Sequence, residues 1–506
     1  MLFNSFHFLL FFFIVFVLYF VLPHKFRWIL LLIASYYFYM CWRPELIVLI
    51  IFSTLVNYFI SLLIYKEKKE KKRKKYLIIS LIINFGLLFI FKYFIFLNQT
   101  FMELYTTIVN FIFTFTGHTS LQTAELLKYY PLKNVDIILP MGISFYTFQA
   151  ASYTIDVYRK KIKPVRHYGI FSLFITFFPQ LVAGPIERSE NLLPQFFVKH
   201  KFNSERILSG LKLMLLGYFK KIVIADRAAV AVNAVFNSPY NYSGLYYVFA
   251  TLLFTFQLYC DFSGYSDIAV GSAKVLGFDL MMNFDKPYLS KSIKEFWRRW
   301  HISLSSWFMD YVYIPLGGNR NGKIKQYRNL MITFLVSGLW HGSNWTYVIW
   351  GGIHGLYQLI GLATLKTRNS IKRFLHLENS YITSVVSIVT TFFLVSFALI
   401  FFRANTIHEA LYIVNNLFAN FTNWTDKQYL YEVITGMGCN LYELKVVVFS
   451  IFILIISEII SGKKSVFDFW ERKPYIFRLA FYVLIGAVIL TTGVYYNAGE
   501  FIYFQF

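Results

Sequence analysis

Apolar runs of 17 to 22 residues, each closed off by a short polar or basic stretch, recur along almost the whole chain. A helix rises about 1.5 Å per residue, so each such run covers roughly the 30 Å of a bilayer's hydrocarbon. Backbone polar groups at that depth must be satisfied within their own segment, which makes helices the default. The clearest runs lie near 3–22, 45–65, 76–97, 207–225, 244–260, 381–402, 444–460 and 478–497. Runs that are shorter, or broken by Gly or Pro, lie near 28–42, 136–157, 168–185, 328–341 and 344–364. The broken ones carry more information, because non-helical backbone survives at membrane depth only where protein or a cavity surrounds it. An all-α, polytopic membrane protein of about 11–13 membrane helices, with re-entrant and interfacial pieces, is the expected fold. Composition agrees: 57% of the 506 residues are hydrophobic, 21% aromatic and 15% charged, which excludes an ordinary soluble enzyme. The opening segment has no basic residue before its apolar run and no small-residue cleavage site after it, and reads as a retained anchor.

The charge balance, 49 basic against 26 acidic residues, is a topology signal in such a chain. The runs Lys66–Lys75 and Arg159–Arg166 are expected to be solvated cytoplasmic loops. Three spans before the first run put the N-terminus outside and Lys25 with Arg27 inside; 76–97 then exits, and if 136–157 re-enters, the weak apolar piece at 105–116 cannot be a full span. Nucleic acid is excluded as a partner, because the aromatics lie in apolar blocks and are not interleaved with the charges. Cys41, Cys260 and Cys439 are scattered singly and offer neither a disulfide framework nor a CxxC metal site. With no repeat and no linker, one integral membrane domain is expected, divided into N-terminal helices 1–135, a core 136–365 with the broken segments, and C-terminal helices 366–506.

Polar residues concentrate at 257–354, among apolar segments where ionisable groups are costly and therefore functional candidates. Gln257, Asp261 and Asp267 surround a glycine at the end of an apolar run. The two carboxylates either pair with nearby cations and hold the fold, or contact substrate or protons. In Lys291–Tyr311 the residues Trp297, Trp300, Leu304, Trp307, Phe308 and Tyr311 recur at helical spacing, which predicts one amphipathic helix. Its Arg298 and Arg299, with Lys291 and Lys294, could meet anionic lipid or a phosphorylated ligand. His301 lies on its aromatic edge. The turn Pro315–Gly322, with Asn319 and Arg320, is glycine-dense but has the wrong spacing for a nucleotide fingerprint. Finally Trp340-His341-Gly342-Ser343-Asn344 closes a run of apolar residues, and Trp350-Gly-Gly-Ile-His354 follows. Desolvation there would keep the His341 imidazole neutral and able to accept a proton. No HxxxH or Cys/His cluster accompanies it, so no metal site is expected.

These segments resemble the membrane-bound O-acyltransferases, and within that family the branch that O-acetylates alginate and peptidoglycan. The resemblance runs through Met141-Gly-Ile-Ser-Phe-Tyr-Thr-Phe-Gln149, Phe178-Pro-Gln-Leu-Val-Ala-Gly-Pro-Ile186, Tyr259-Cys-Asp-Phe-Ser-Gly-Tyr-Ser-Asp267, Glu295-Phe-Trp-Arg-Arg-Trp-His-Ile-Ser-Leu-Ser305, Tyr313-Ile-Pro-Leu-Gly-Gly-Asn319, Leu339-Trp-His-Gly342, Phe402-Arg-Ala404 and Phe501-Ile-Tyr-Phe-Gln505. Cys260 departs from the aromatic common at its position. The first 135 residues match only in hydropathy.

The resemblance implies a helical bundle around a central tunnel in the bacterial inner membrane. There acetyl groups pass from cytoplasmic acetyl-CoA, a donor substrate and not a bound cofactor, toward an exported envelope polysaccharide. It makes His341 the base or acyl relay and His301 the second catalytic residue. Trp297, Arg298, Arg299 and Asn319 are the donor-binding candidates, and Gln257, Asp261, Asp267, Trp340 and Asn344 the polar tunnel. It also implies an extracytoplasmic partner of serine-hydrolase-like fold, since the chain has no GxSxG motif of its own. Two other readings remain at this point. One is a proton-coupled transporter or flippase using Asp261, Asp267 and His341, though no second copy of the 261–341 block is present. The other is a scaffold for polysaccharide export.

Overall fold

The computed structural model describes residues 1–116, 137–182, 184–377, 380–462, 464–495 and 501–502, and every regular element among them is helical. The chain forms two compact units, residues 1–47 with 167–506, and residues 48–166. In chain order the principal helices are α1 (Phe6–Val21), α2 (His24–Met40), α3 (Ile47–Lys66), α4 (Glu70–Leu88), α5 (Phe94–Phe115), α6 (Ile143–Tyr158), α7 (Tyr168–Thr176), α8 (Ser204–Tyr218) and α9 (Asp226–Asn237). They continue with α10 (Leu245–Leu276), α11 (Ile293–Arg299), α12 (Ile302–Phe308), α13 (Lys323–His341), α14 (Trp345–Ala363), α15 (Tyr381–Arg403), α16 (Leu441–Ser461) and α17 (Tyr475–Thr492). The compact units cut across the three sequence segments, since helices from both ends of the chain share the larger one.

The protein is a multi-pass membrane protein. Among the described residues six helices are long and apolar enough to cross a bilayer, or seven if the bent pair Trp345–Ala363 and Leu365–Phe374 is one span. That is fewer than 11–13, for identifiable reasons. The 168–185 run breaks between Thr176 and Phe178, ahead of Pro179, and the 136–157 run becomes helical only after Gly142, at φ 71°. α6 and α7 are almost wholly buried, so they need no continuous lipid-facing surface.

In the smaller unit, α4, a π-helical turn at Phe89–Tyr93 and α5 form one helix of 46 residues. The weak piece at 105–116 is thus a continuation of the preceding span. The basic run is not wholly a solvated loop either: α4 starts at Glu70, and Arg73 is buried, donating to Ile64 O, Tyr158 O and the Glu70 carboxylate. A polar seam holds α3, α4 and α6 together. Asn57 and Asn84 exchange amide hydrogen bonds at 2.9 Å each, and Thr154 donates to Asn57 Oδ1 at 2.9 Å.

The axis of the larger unit is α10, a helix of 32 residues that continues past Asp261 and Asp267, so both carboxylates lie mid-helix and not at an apolar helix's end. α8 packs on it through two glycine pairs. A Cβ on Gly210 would lie 2.7 Å from Gly271 O and one on Gly217 2.6 Å from Gly264 O, and the reciprocal distances are both 2.7 Å. Small residues let backbones approach where lipid supplies no hydrophobic drive. The seven-residue spacing, 210 to 217 and 264 to 271, puts each pair on one face.

Candidate functional site

α13 delivers His341 as its last residue. Its position depends on glycines, because a Cβ on Gly338 or Gly342 would strike Tyr347, and one on Gly351 would strike the Phe334 carbonyl. The α13–α14 hairpin can therefore close only with bare backbone at those points. His341 is 1% exposed inside an aromatic box, edge-on to Trp340 at 5.1 Å, Trp350 at 4.9 Å and Phe402 at 5.7 Å between ring centroids. Trp340 also stands edge-on to His301, at 6.0 Å. Two histidines forty residues apart in sequence thus adjoin one indole.

His301 reaches this place through a break. The expected amphipathic helix over 291–311 is two short helices, α11 and α12, followed by a π-helical turn at Met309–Tyr313. His301 sits in the break with φ 43°, a left-handed conformation uncommon for a residue with a side chain. The segment 283–285 holds it there: Asp285 N donates to Arg299 O at 3.0 Å and Ile302 N to Asn283 O at 2.9 Å. Ser303 Oγ donates to Asn283 Oδ1 at 2.7 Å and accepts from Ile186 N at 3.0 Å. These backbone pairings override the helical periodicity of the tryptophans. The ring stands edge-on to Phe262 at 4.6 Å, and complete burial pushes His301 down to about 3, leaving a neutral imidazole.

The carboxylates of α10 are paired. Lys221 Nζ lies 2.6 Å from Asp261 and 2.7 Å from Asp226, and Lys220 Nζ lies 2.7 Å from Asp267. Both lysines stand on a π-helical turn, Phe219–Ala225, that follows α8 where the second glycine pair brings it against α10. Asp261 Oδ2 also accepts the amide of Ile502 at 2.7 Å, and Phe501 stacks on Tyr265 at 4.6 Å. The remaining residues of the Phe501–Gln505 block lie outside the described residues. Gln257 is buried one helical turn before Asp261. Sequence reasoning misses the lysines because they fall inside an apolar stretch that passes as a plain membrane run. Two adjacent lysines within such a run are the signal that could find them.

The remaining candidates do not gather at His341. Arg298 is exposed, and Arg299 pairs with Glu295 at 2.6 Å, one turn back on α11. Asn319 is exposed on the glycine turn, which is instead fastened by the buried Asn329 donating to Leu316 O and Gly318 O at 3.0 Å each. Asn344 caps α14, accepting from Thr346 N at 3.0 Å, and donates to Asn405 O at 2.8 Å. Trp297 is the exception: its indole N–H donates to Nδ1 of the buried His354 at 3.3 Å, in the wall of the box.

A cavity of about 800 Å³ lies along α8, α10, α16 and α17, with Leu213, Phe449, Ile453 and Val488 among its apolar walls and Lys220, Asp267 and Glu458 among its polar lining. Tyr259 lines it too, hydrogen-bonding Glu458 at 2.6 Å and contacting Tyr288 at 5.2 Å, which itself lines a void next to Trp350. Among the described residues no three His, Cys, Asp or Glu side chains are grouped to hold a metal ion.

Residues 166–402 match the profile of the membrane-bound O-acyltransferase family. A probable alginate O-acetylase of Pseudomonas syringae pv. tomato is 37% identical over 83% of this chain and 75% of its own length. A peptidoglycan O-acetyltransferase of Helicobacter pylori is 33% identical over 76% of this chain and 73% of its own. A teichoic acid D-alanyltransferase of Streptococcus thermophilus is 32% identical over 46% of this chain and 59% of its own.

Proposed function

Because the chain belongs to the membrane-bound O-acyltransferase family and is an O-acyltransferase, we propose that it moves acetyl groups from cytoplasmic acetyl-CoA across the bacterial inner membrane for O-acetylation of an exported envelope polysaccharide. The observation that carries this reading is the position of His341, an imidazole closed inside Trp340, Trp350 and Phe402, with His301 also against Trp340.

A water-poor aromatic box favours acyl transfer over hydrolysis. His341 acts in one of two ways. As base it takes the proton of an incoming hydroxyl, whose oxygen attacks the thioester carbon; the C–S bond breaks and the thiolate recovers the proton. As relay its nitrogen attacks the carbonyl itself, expels the thiol and hands the acetyl on. Acetyl label retained on His341 in the absence of acceptor separates the two. His301, neutral at physiological pH, contributes shape and hydrogen bonding and no charge. The cavity of about 800 Å³, set off by Tyr259 and Tyr288, has room for the donor's pantetheine arm.

The acceptor is alginate-like exopolysaccharide or peptidoglycan, after the names of the relatives, reached through an extracytoplasmic serine-hydrolase-like partner. The basic segments 66–75 and 159–166 face the cytoplasm and the N-terminus faces outside. A proton-coupled transporter would use carboxylates open to titration, whereas Asp261 and Asp267 are each tied to a lysine.

The test is His341→Ala with membrane insertion verified and the acetate released from envelope polysaccharide by mild base measured. Loss of O-acetyl groups is expected. Wild-type acetylation would remove His341 from the mechanism.

A further inference from the structure

Ser303 is fully buried two residues after the break at His301, and the transfer described above gives it no task. Among the described residues its hydroxyl oxygen meets three polar atoms: Asn283 Oδ1 at 2.7 Å, Ile186 N at 3.0 Å and His301 Nδ1 at 3.5 Å. A hydroxyl has one proton and two lone pairs, so three neighbours use all it can offer. They arrive from three separate parts of the chain, and the parts are fastened to one another. Asn283 O accepts from Ile302 N at 2.9 Å, and Glu187, the residue after Ile186, accepts from Met281 N at 2.6 Å.

Counting protons decides which atom donates in each contact. Two oxygens 2.7 Å apart need a proton between them, and a carboxamide oxygen has none, so the Ser303 proton lies on the bond to Asn283. That amide cannot be turned over, because Ser303 N–H also points at Oδ1, at 3.4 Å, and the reverse orientation would set N–H against N–H. The backbone amide of Ile186 can only donate and occupies one lone pair of the hydroxyl. The other lone pair faces His301 Nδ1. With the imidazole proton on Nε2, two lone pairs would oppose each other there; with it on Nδ1 the contact is attractive. The neutral ring is therefore the Nδ1–H tautomer, and its basic lone pair stands on Nε2.

We propose that Ser303 is a positioning residue for the acyl transfer: with Asn283 and the Ile186 amide it holds the His301 imidazole as the Nδ1–H tautomer, so that the ring serves the reaction as a hydrogen-bond acceptor at Nε2. The inference rests on the acyl-transfer reading, which places His301 in the reaction, and adds which of its nitrogens acts and what keeps it so. An acceptor nitrogen takes an O–H or S–H group, which in acyl transfer means the attacking hydroxyl or the departing thiol. It cannot donate to the acyl carbonyl. The backbone supports a ring set in advance: His301 is held at φ 43°, and Phe262 stands edge-on to it at 4.6 Å. A fully buried ring packed in this way and bonded at Nδ1 does not exchange its two nitrogens by turning over.

The experiment uses the full-length protein in lipid membranes, labelled at histidine with carbon-13 and nitrogen-15, and reads the protonation of each ring nitrogen by solid-state NMR. The His301 signals are those lost in His301→Gln. Wild type should show a protonated Nδ1 and a bare Nε2; the reverse would overturn the inference before any change at Ser303. Ser303→Ala with unchanged thermal unfolding should lose the Nδ1–H preference. Its kcat for transfer from acetyl-CoA should fall by about 10-fold, with KM little changed. Ser303→Thr keeps the hydroxyl and should keep the tautomer and most of the rate. Packing alone predicts the opposite order, because threonine adds a methyl where alanine only removes an oxygen. Should Ser303→Ala fail to fold, Ser303→Cys, whose thiol is a weak acceptor, takes its place under the same expectations. A folded alanine variant with the wild-type tautomer or kcat, or a threonine variant no better than alanine, would overturn the inference. If His341→Ala retains activity, the acyl-transfer reading fails instead, and the tautomer of His301 stands.

Discussion

Replacing Gly264 by alanine tests whether the α8–α10 contact is what places the charged network. A Cβ there would lie 2.7 Å from Gly217 O, 3.0 Å from Lys220 Cβ and 3.1 Å from Lys221 N. Ordinary carbon–oxygen contacts begin several tenths of an ångström further out, so the helices must separate by roughly 0.5 Å or the π-helical turn must shift. That turn carries Lys220 and Lys221, whose bonds to Asp267 and Asp261 are already at 2.7 and 2.6 Å. Overpacking of this kind costs about 1–3 kcal/mol. A thiol-reactive dye read during heating in detergent suits the protein, because Cys260 is fully buried one turn before Gly264, while Cys41 is exposed and reacts at once. We expect Gly264→Ala to unfold several degrees below wild type. Gly217→Ala should behave alike, and the double variant should lose less than the sum, since either methyl opens the same gap. Gly486→Ala is the control, because a Cβ there meets nothing within 4 Å and alanine is the better helix former. An unchanged melting temperature in Gly264→Ala, or a larger loss in Gly486→Ala, would refute the argument.

Lys221→Met should destabilise by about 3–5 kcal/mol by leaving Asp226 and Asp261 buried without their shared cation, and adding Asp261→Asn should recover part of that in the same dye assay. The pH dependence should carry a signature of His301, whose imidazole is held down to about 3 by burial against an ordinary value near 6.5. The folded state prefers the neutral ring, so this stability is fully present above about pH 6.5 and drains at about 1.4 kcal/mol per pH unit as the pH falls from 6.5 toward 3. In His301→Gln, melting temperatures between pH 6.5 and 4.5 should flatten relative to wild type; an unchanged slope would place the titration elsewhere.

What the sequence discloses and what it hides follow from the range of the interactions involved. Membrane spans are local: α3, α15, α16 and α17 can be read from their own hydropathy because lipid alone decides their surface. His341 is legible for a similar reason, as an imidazole that interrupts an apolar run declares its own cost. The break at Trp300–His301 is not local. The tryptophan spacing of 297–311 favours a continuous helix, and it is the backbone of 283–285, together with Asn283 and Ser303, that turns the chain to place His301 against Phe262 and Trp340. Asp261 and Asp267 were visible as a problem, whereas their solution, Lys220 and Lys221, lies some forty residues earlier within an apolar stretch. A hydropathy window averages those two lysines away, although their charge is what makes two mid-helix carboxylates tolerable in α10. His354 shows the same limit most sharply. In sequence it is one more histidine beside glycines; Trp297, 57 residues earlier, donates to its Nδ1 and so fixes its tautomer, and Trp350 shares its void. Residue types that suit a chemistry can be picked out one at a time, but their roles are set by partners that only the packing of α11, α13 and α14 brings together.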